Sequence, residues 1–420
     1  MPTRSERFGT RRSRPEASPL KCDLSEAHSR VESALLTGGK DRPYAFGLAT
    51  ALAAQNVLLD VVGSDEVDSP ELHATSGLNF LNLHGTTRPA GVLKKIARVV
   101  GFYFRLARYS ASRSPKVLHI LWNNNFELFD RTVLMIYYRL LGKKIALTAH
   151  NINAGQRNLS DSLLNRITLR IQYQLTHHIF VHTGKMKRQL CEDFRVPEDA
   201  ITTLRHPINN AFPDTHLTPA EAKRRLGIGE GEKTILFFGR LRPYKGLEYL
   251  LSAFELLSRT DTAYRLIIAG ESKKGSEDYY DSIQDRIANH PNRDRIISRI
   301  EFIPDRDVEV YLKAADVMVL PYRDIFQSGV LFLGYSFGLP VVAADVGAFR
   351  EEIIEGKTGF VCSPCDSGDL AKALETYFTS DLFHGLASFR HEIREYAFTE
   401  HSWDAVAALT RKAYEKMLQT

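Results

Sequence analysis

The sequence predicts an α/β protein made of two Rossmann-like, doubly wound domains. Three features of its 420 residues support this prediction: short apolar runs, amphipathic segments between them, and an irregular stretch near the middle. Uniformly apolar strands separated by helices are typical of a parallel sheet that is covered on both faces. A chain of this length has room for two or three domains, at roughly 100–200 residues each.

Several short apolar runs are predicted to be strands. They are Val57–Val62, Val117–Trp122, Ile145–Ala149, Ile179–His182, Ile235–Phe238, Leu266–Ala269, Ile300–Ile303, Val317–Leu320 and Pro340–Ala343. Most of these runs are separated by segments with apolar residues at i, i+3 and i+4, such as Leu247–Leu257 and Ala371–Phe378. The alternation occurs in both halves of the chain, so each half is predicted to carry its own parallel sheet.

The best internal boundary is the segment His206–Pro219, which has three prolines, two asparagines and no periodicity. We therefore predict an N-terminal Rossmann-like domain over residues 31–208 and a C-terminal one over residues 209–395. Residues 1–30 are rich in Arg, Ser, Pro and Glu and are predicted to form a disordered basic arm. Residues 396–420 are predicted to contain a final helix.

The composition is that of an ordinary globular protein, with 44% apolar and 25% charged residues. A net charge of +5 is too small to indicate a nucleic acid partner. No apolar run reaches the ~18 residues of a membrane-spanning helix, and no apolar signal core follows the N-terminus. The four cysteines fit a reducing compartment, so we expect a cytoplasmic protein.

The sharpest functional signal follows the apolar run Ile235–Phe238. Gly239 ends this run, Arg240 and Lys245 lie in a short turn, and Gly246 opens the next amphipathic segment. A helix N-terminus offers unpaired N–H groups and a partial positive charge, and two nearby cations strengthen its attraction for phosphate. The pattern predicts a phosphate site, and the alternative is an ordinary loop with surface cations.

A second helix start follows the run Val317–Leu320 and carries the residues Gln327, Ser328, Gly329 and Val330. Ser328 is suited to cap the helix, and a glycine lets a ligand approach the backbone closely. In a doubly wound sheet both helix starts lie at the carboxyl edge, where ligands bind. Together they would hold a diphosphate without a metal ion, whereas the alternative is an ordinary helix cap.

At these residues the chain resembles the retaining glycosyltransferases of family four, which have the two-domain GT-B architecture with a central cleft. The resemblance covers residues 31–400 and is strongest from Thr234 to Val361. Four runs match in spacing and order: Gly239–Gly246, Ala269–Glu271, Ala314–Pro321 and Gly338–Gly347. The resemblance implies transfer of a sugar from a nucleotide diphosphate to an acceptor hydroxyl, in the assembly of a polysaccharide or glycolipid.

The resemblance also implies roles for individual residues. The C-terminal half would bind the nucleotide sugar, with Glu271 in the donor site and the base read by backbone groups near Ile303. Gly38 and Gly39 resemble the glycine loop that faces the donor phosphates. His150, in the run Thr148–Asn151, would contact the transferred sugar. The last helix would pack back on the N-terminal domain, and the acceptor, a carbohydrate or a lipid-linked one, would bind there.

The chain departs from the family pattern at one place. The family often carries two glutamates eight residues apart near this helix start, and here Ile325 and Leu333 occupy those positions. Two alternatives to a transferase therefore stay open: a non-catalytic subunit that binds nucleotide sugars, and another GT-B enzyme such as a phosphorylase or epimerase. We expect no cofactor and no metal, because the D-x-D formed by Asp305 and Asp307 also fits a helix cap and an acidic first turn.

A basic amphipathic helix is predicted over Val92–Arg108. No Asp or Glu occurs from Leu72 to Phe126, whereas eight Lys or Arg do. At about 100° per residue, apolar side chains fall on one side of the helix and basic ones on the other. Two interpretations remain: a helix that packs on the core with a solvated basic face, or docking of residues 92–113 to an anionic membrane. The second would place the protein peripherally on the inner face of the membrane.

Overall fold

A computed structural model describes residues 31–85, 91–112, 115–124, 126–153, 161–208, 212–272 and 277–419. The predicted disordered arm over residues 1–30 lies outside the described residues. The fold-class prediction is confirmed, because the described residues form two parallel sheets with helices on both faces. Within the described part of the chain, no helix combines the length and the apolarity that crossing a bilayer requires.

The first half contains a seven-stranded parallel sheet in the order β3-β2-β1-β4-β5-β6-β7. Its strands are β1 Glu32–Leu36, β2 Leu58–Gly63, β3 Leu78–Asn82, β4 Val117–Ile120, β5 Lys144–Thr148, β6 His178–Val181 and β7 Ile201–Thr203. The strand order reverses between β1 and β4. A crevice forms at the carboxyl ends of the strands at such a reversal, which makes it a usual place for a ligand.

Helices cover both faces of this sheet. They are α1 Arg42–Ala54, α2 Pro70–Ala74, α3 Val92–Ala111, α4 Glu127–Phe129, α5 Met135–Leu140, α6 Leu163–Leu175 and α7 Gly184–Phe194, with a π-helical turn at Asp130–Leu134. The amphipathic α3, the π-helical turn, α5, α6 and α7 contribute to one core cluster. Helix α1 contributes to the cluster on the opposite face.

The second half contains a six-stranded parallel sheet in the order β10-β9-β8-β11-β12-β13. Its strands are β8 Lys233–Phe238, β9 Tyr264–Ala269, β10 Ile296–Arg299, β11 Val317–Leu320, β12 Val341–Ala344 and β13 Gly359–Cys362. The order reverses between β8 and β11, so this sheet also has a switch point. Both predicted phosphate-binding segments begin at the ends of these two strands.

The remaining helices follow in chain order. They are α8 Pro219–Arg225, α9 Leu247–Thr260, α10 Glu277–Ala288, α11 Asp305–Ala314, α12 Gly329–Ser336, α13 Phe349–Glu352, α14 Ser367–Thr379, α15 Asp381–His384, α16 Leu386–Glu400 and α17 Trp403–Gln419, with short 3₁₀ turns at Glu198–Ala200, Pro243–Lys245 and Arg293–Arg295.

Helix α17 packs against α1 of the first half. The Trp403 ring lies on Gly47, where an added Cβ would come within 2.1 Å of the indole. The Tyr414 hydroxyl lies 2.6 Å from Nδ1 of the buried His119. The chain therefore ends on the first half after completing the second.

One predicted strand is wrong, and five observed strands are not predicted. The segment Ile300–Ile303 is not a strand, because β10 pairs with β9 only as far as Arg299 and β9 ends opposite it at Ala269. Ile300 and Ile303 are apolar because they pack on the core of the second half from the loop that follows. The unpredicted strands β1, β3, β7, β10 and β13 are short, and the first four of them contain polar residues.

Candidate functional site

A cavity of about 360 Å³ lies between the two sheets. Each half contributes to its wall, and so do the segment that joins them and the start of α17. The residues lining it are Asp41, Pro43, Tyr44, Trp122, His150, Asn151, His182, His206, Pro207, Ile208, Tyr244, Ile325, Gln327, Gly329 and Trp403. The cavity therefore joins the two switch points.

The β8–α9 loop brings a buried cation to the start of a helix. Gly239 has φ +103°, and the chain then forms the 3₁₀ turn that ends at Lys245. Gly246, at φ +65°, is the N-cap of α9, and a Cβ there would lie 2.1 Å from the carbonyl oxygen of Pro321. The Lys245 amine lies beside Gly239, 3.0 Å from where a Cβ would be. Glycine is therefore the residue that fits at these two positions of the loop.

Lys245 is buried, and no carboxylate of the described residues forms an ion pair with it. Its Nζ lies 5.4 Å from the centre of the Tyr322 ring. Burial, followed by the nearby charges of Arg240 and Arg242, lowers the pKa of Lys245 to about 7. A bound anion would favour the charged form again, since an opposite charge within a few ångströms raises the pKa of an amine.

Arg240 faces the first half of the chain across the cleft. Its Nε lies 2.9 Å from Oε1 of Glu271, a pair in which both side chains are more than a third exposed. Arg240 is also close enough to Asp41 to influence its titration. Burial is the largest influence and raises the pKa of Asp41, while the Tyr44 N–H and Arg240 oppose it.

Asp41 is a site residue that our sequence reasoning missed. It is the N-cap of α1 in a left-handed conformation, φ 53°, and accepts from the Tyr44 N–H at 3.5 Å. The signal was present as the run Asp41-Arg42-Pro43, because Asp before a proline in the first helical turn is a helix start. That signal predicts a cap, whereas the fold places the carboxylate in the wall of the cleft.

The start of α12 lies against the β8–α9 loop. Cγ2 of Val330 lies 3.5 Å from the position of a Cβ on Gly239, and Gly329 lines the cavity. Ser328 is the N-cap residue, but the expected side-chain cap bond is not formed. The N–H groups of the first turn are therefore left without that oxygen, and such groups are ready partners for an anion.

Gln327 lines the cavity, and its Nε2 donates to Oε1 of Glu352 at 3.3 Å. Burial raises the pKa of Glu352, and Gln327 opposes this effect. Ile325 also lines the cavity, whereas Leu333 lies in the core. Of the two positions where the family often carries glutamate, one therefore holds an apolar residue of the cavity wall and the other a residue of the core.

His150 lies at the end of β5, in the wall of the cavity. Its ring is stacked on Trp122 at 4.1 Å between centroids, and the edge of Tyr44 approaches it at 4.6 Å. Burial, followed by His206 and His119, lowers the pKa of His150 to about 3, so the ring is neutral near pH 7. Among the described residues its Nε2 has no hydrogen-bond partner. This nitrogen is therefore a buried polar atom whose hydrogen-bonding capacity no described residue satisfies.

Of the predicted site residues, His150, Gln327 and Gly329 line this cavity, and the others do not: Gly38, Gly39, Gly239, Arg240, Lys245, Glu271, Ile303, Ser328 and Val330. Gly38 and Gly39, at φ +62° and +70°, line a second cavity of about 290 Å³ between the glycine loop and α3. A Cβ on Gly38 would lie 2.8 Å from the Trp122 carbonyl oxygen, so the loop fits tightly under β4. Glu271 is bound to Arg240, and Ile303 packs on the core beyond β10.

Asp305 makes an ion pair rather than a helix cap. Its Oδ2 lies 3.0 Å from Nη1 of Arg42 at the start of α1. The N-cap of α11 is Pro304, so the predicted cap at Asp305 is wrong, although Asp305 and Asp307 do form an acidic first turn. Across the described ranges, no group of three or more His, Cys, Asp or Glu is arranged to hold a metal ion.

Two family models match the chain in succession. The model described as Glycosyltransferase Family 4 matches residues 43–212, and the model described as Glycosyl transferases group 1 matches residues 220–400. The chain is 23% identical over 383 residues to an uncharacterized glycosyltransferase of Methanocaldococcus jannaschii, which covers 88% of this chain and 92% of that one. It is 27% identical over 283 residues to a D-inositol 3-phosphate glycosyltransferase of Corynebacterium aurimucosum, and the match covers 64% of this chain and 65% of that one.

Solved structures share the fold. Sucrose-phosphate synthase from Thermosynechococcus elongatus superimposes with a TM-score of 0.72 at 19% identity, covering 93% of this chain and all of that one. The Anabaena protein HepE, solved with UDP and glucose, gives 0.71 at 15% identity, covering 92% and 99%. Because the two family matches adjoin and run from residue 43 to residue 400, the chain is a glycosyltransferase of the group 1 and family 4 type, with the GT-B fold.

Proposed function

We propose that this enzyme transfers a hexosyl group from a nucleoside diphosphate sugar to an acceptor hydroxyl, with retention of anomeric configuration and without a metal ion. One observation carries the proposal: Lys245, Arg240 and the starts of α9 and α12 converge at the carboxyl ends of β8 and β11. Two similar structures support it, since HepE was solved with UDP-glucose and starch synthase IV of Arabidopsis thaliana with ADP.

The proposed chemistry follows the charge that develops on the leaving group. The bond between the sugar C1 and the phosphate oxygen breaks, and its electron pair stays on the diphosphate. Lys245, Arg240 and the helix N–H groups stabilise that charge. The acceptor oxygen bonds C1 from the same face, and its proton passes to the departing phosphate oxygen. His150 contributes a hydrogen bond to the sugar through Nε2.

The acceptor is proposed to carry an anionic group and to bind in the 290 Å³ cavity. Among the residues that the structure describes, Lys40, Lys95 and Arg98 line this cavity together with one carboxylate, that of Glu66. His84, stacked on Phe102, lies in the same wall, and burial followed by Lys40 and Arg105 lowers its pKa to about 4. The name of the Corynebacterium relative, D-inositol 3-phosphate glycosyltransferase, agrees with such an acceptor.

Turnover with a defined donor tests this function. A thermal-shift screen with UDP, GDP, ADP and their sugars identifies the nucleotide, because a ligand of the folded state raises Tm. Hydrolysis or transfer is then measured for Arg240→Ala/Lys245→Ala, with Arg259→Ala near the end of α9 as the matched control. Charged hydrogen bonds contribute about 1.5–3 kcal/mol each, so we expect the double variant to lose about 10²- to 10⁴-fold in kcat. Wild-type turnover in that variant would refute the proposal.

A non-catalytic subunit is the second candidate, and the apolar residues at positions 325 and 333 favour it. Saturable binding of a nucleotide sugar with neither hydrolysis nor transfer across a panel of acceptors would identify such a subunit. Formation of a sugar phosphate or of an epimerised nucleotide sugar would instead identify another GT-B enzyme. For the transferase, we expect activity to survive EDTA.

A further inference from the structure

The described residues expose large apolar side chains very unevenly. Twenty are exposed, and all but Leu256, Phe302, Ile354, Phe398, Leu409 and Leu418 lie between Leu93 and Ile167. Helix α3 exposes Leu93, Ile96, Val100 and Phe104, of which Leu93 is 83% exposed. Single exposed apolar residues are normal on a protein surface, but a concentration of this kind marks an interaction site.

Helices α4 to α6 continue the pattern. The segment from α4 through α5 exposes, among others, Val133, Ile136 and Leu140, the last at 81%. Helix α6 exposes Leu163, Leu164 and Ile167. We call the exposed sides of α3, the α4–α5 segment and α6 the apolar face.

The three parts of the apolar face are neighbours on one side of the first sheet. The Tyr103 hydroxyl of α3 donates to Oδ1 of Asp130 at 2.9 Å, and the Tyr137 hydroxyl of α5 donates to the Ala107 carbonyl oxygen at 3.0 Å. Arg131 of the π-helical turn donates to Oδ1 of Asn165 in α6 at 2.8 Å. The exposed residues therefore belong to one continuous surface.

Positive charge flanks the α3 part of the apolar face. Helix α3 carries Lys94, Lys95, Arg98, Arg105 and Arg108, and the sequence has no carboxylate from Leu72 to Phe126.

The acids that follow in α4 and the π-helical turn have partners of their own. Asp130 is buried and bonded by Tyr103, and Glu127 pairs with Arg131. A protein interface would be depleted in lysine, whereas apolar side chains flanked by lysine and arginine are typical of a surface that lies on anionic lipid.

We propose that the apolar face docks on the surface of an anionic lipid bilayer, with the apolar side chains at the level of the acyl chains and the cations among the head groups. Helix α3 also forms a wall of the 290 Å³ cavity through Lys95, Val99, Phe102 and Tyr103. Docking therefore brings this cavity to the bilayer surface. If the cavity binds the acceptor, as our proposed function holds, the acceptor is drawn from the membrane.

The test is flotation of the full chain with vesicles of phosphatidylcholine alone, or of phosphatidylcholine and phosphatidylglycerol in equal parts. Binding is expected only to the anionic vesicles and is expected to weaken with added salt. Phe104→Gln/Leu140→Gln is expected to lower the partition coefficient at least about tenfold, because burial of several methylene groups in lipid is lost. Phe398→Gln/Leu409→Gln, which changes the same residue types at exposed positions of α16 and α17 outside the apolar face, is the matched control.

Three outcomes would overturn the proposal: no binding to anionic vesicles at low salt, unchanged binding of Phe104→Gln/Leu140→Gln, or equal loss in the control variant. A concentration-dependent dimer in light scattering, without vesicle binding, would assign the apolar face to a second copy instead. Thermal shifts with the donor nucleotide are measured on the same variants. They report the donor site alone, so a failed docking proposal and a failed functional proposal are distinguishable.

Discussion

At the scale of single residues, Lys245 shows how burial prepares a site for an anion. The sequence predicts Arg240 and Lys245 as neighbours of a helix start, and both lie in the loop after β8. The sequence does not predict that the amine is buried under Gly239, because this depends on the glycine's conformation and on contacts with Val330 and Tyr322. Asp41 escapes prediction for a similar reason, since only the fold brings it near Arg240.

Lys245 should take up a proton when a nucleoside diphosphate binds. At pH 8 the free amine, with its pKa near 7, is mostly neutral, and the diphosphate raises that pKa. At pH 6 the amine is already charged, so no uptake is expected there. Calorimetry in buffers of different ionisation enthalpy measures the uptake, and Lys245→Met should abolish it. Equal uptake at both pH values would contradict this account.

Gly246 should tolerate alanine much less well than Gly227 does. Both have positive φ, +65° and +71°, so both variants carry the left-handed penalty of about 1 kcal/mol. Only at Gly246 does the new Cβ meet backbone, the Pro321 carbonyl oxygen at 2.1 Å, whereas at Gly227 nothing lies within 4 Å. We expect Gly246→Ala to cost at least about 2 kcal/mol more in urea unfolding. Equal losses would mean that the loop relaxes freely.

At the scale of elements, the strands that the sequence predicts are the apolar ones buried between two layers of helices. β8, β9 and β11 are nearly uniformly apolar and buried, so their pattern is unambiguous. β1 and β3 carry Glu32, Asn79 and Asn82, and their pairing partners, not their own composition, make them strands. The membrane interpretation of α3 remains a prediction, and the structure adds the exposed residues of α5 and α6 to it.

The contact of α17 with the first half should depend on one buried hydrogen bond. His119 is fully buried and bonded on both ring nitrogens, to Tyr414 and to Thr148. Tyr414→Phe leaves Nδ1 without its partner, which typically costs about 1–3 kcal/mol for a buried group. Tyr280→Phe, which removes a partly buried hydroxyl bonded to Gln284, should cost less. Urea unfolding of both variants measures the difference, and similar losses would refute it.

At the scale of the whole molecule, the sequence predicts two sheets but not the cleft between them. The apolar pattern indicates which faces are buried, whereas the approach of His150, His206 and Phe332 depends on packing between distant segments. His206 lies 4.9 Å from His182 and is stacked on Phe332 at 4.8 Å. Aromatic rings and neutral histidines thus pack together where the halves meet. This arrangement cannot be predicted from any local pattern in the sequence.

These histidines should make the protein sensitive to acid. Burial lowers the pKa of His119, His150 and His182 to about 3, from an ordinary value of 6.5. Below pH 6.5 these histidines bind protons in the unfolded chain but stay neutral in the folded chain. The free energy of unfolding therefore decreases as the pH is lowered. Each such histidine contributes a slope of up to about 1.4 kcal/mol per pH unit. Urea unfolding between pH 7 and pH 5 measures the slope, and a flat profile would contradict the prediction.

The Arg42–Asp305 pair has a consequence for product release. It joins the start of α1 to the start of α11, next to Asp41 and Pro43 of the cavity wall, and both partners are more than a third exposed. Exposed ion pairs contribute at most about 1 kcal/mol and weaken with salt. The two halves are therefore held together only weakly at this point. We expect Asp305→Asn to speed nucleotide departure about two- to fivefold in stopped-flow displacement. The rate of nucleotide dissociation from the wild-type protein should approach that of the variant as ionic strength rises. Product release would then depend on the salt concentration around the enzyme.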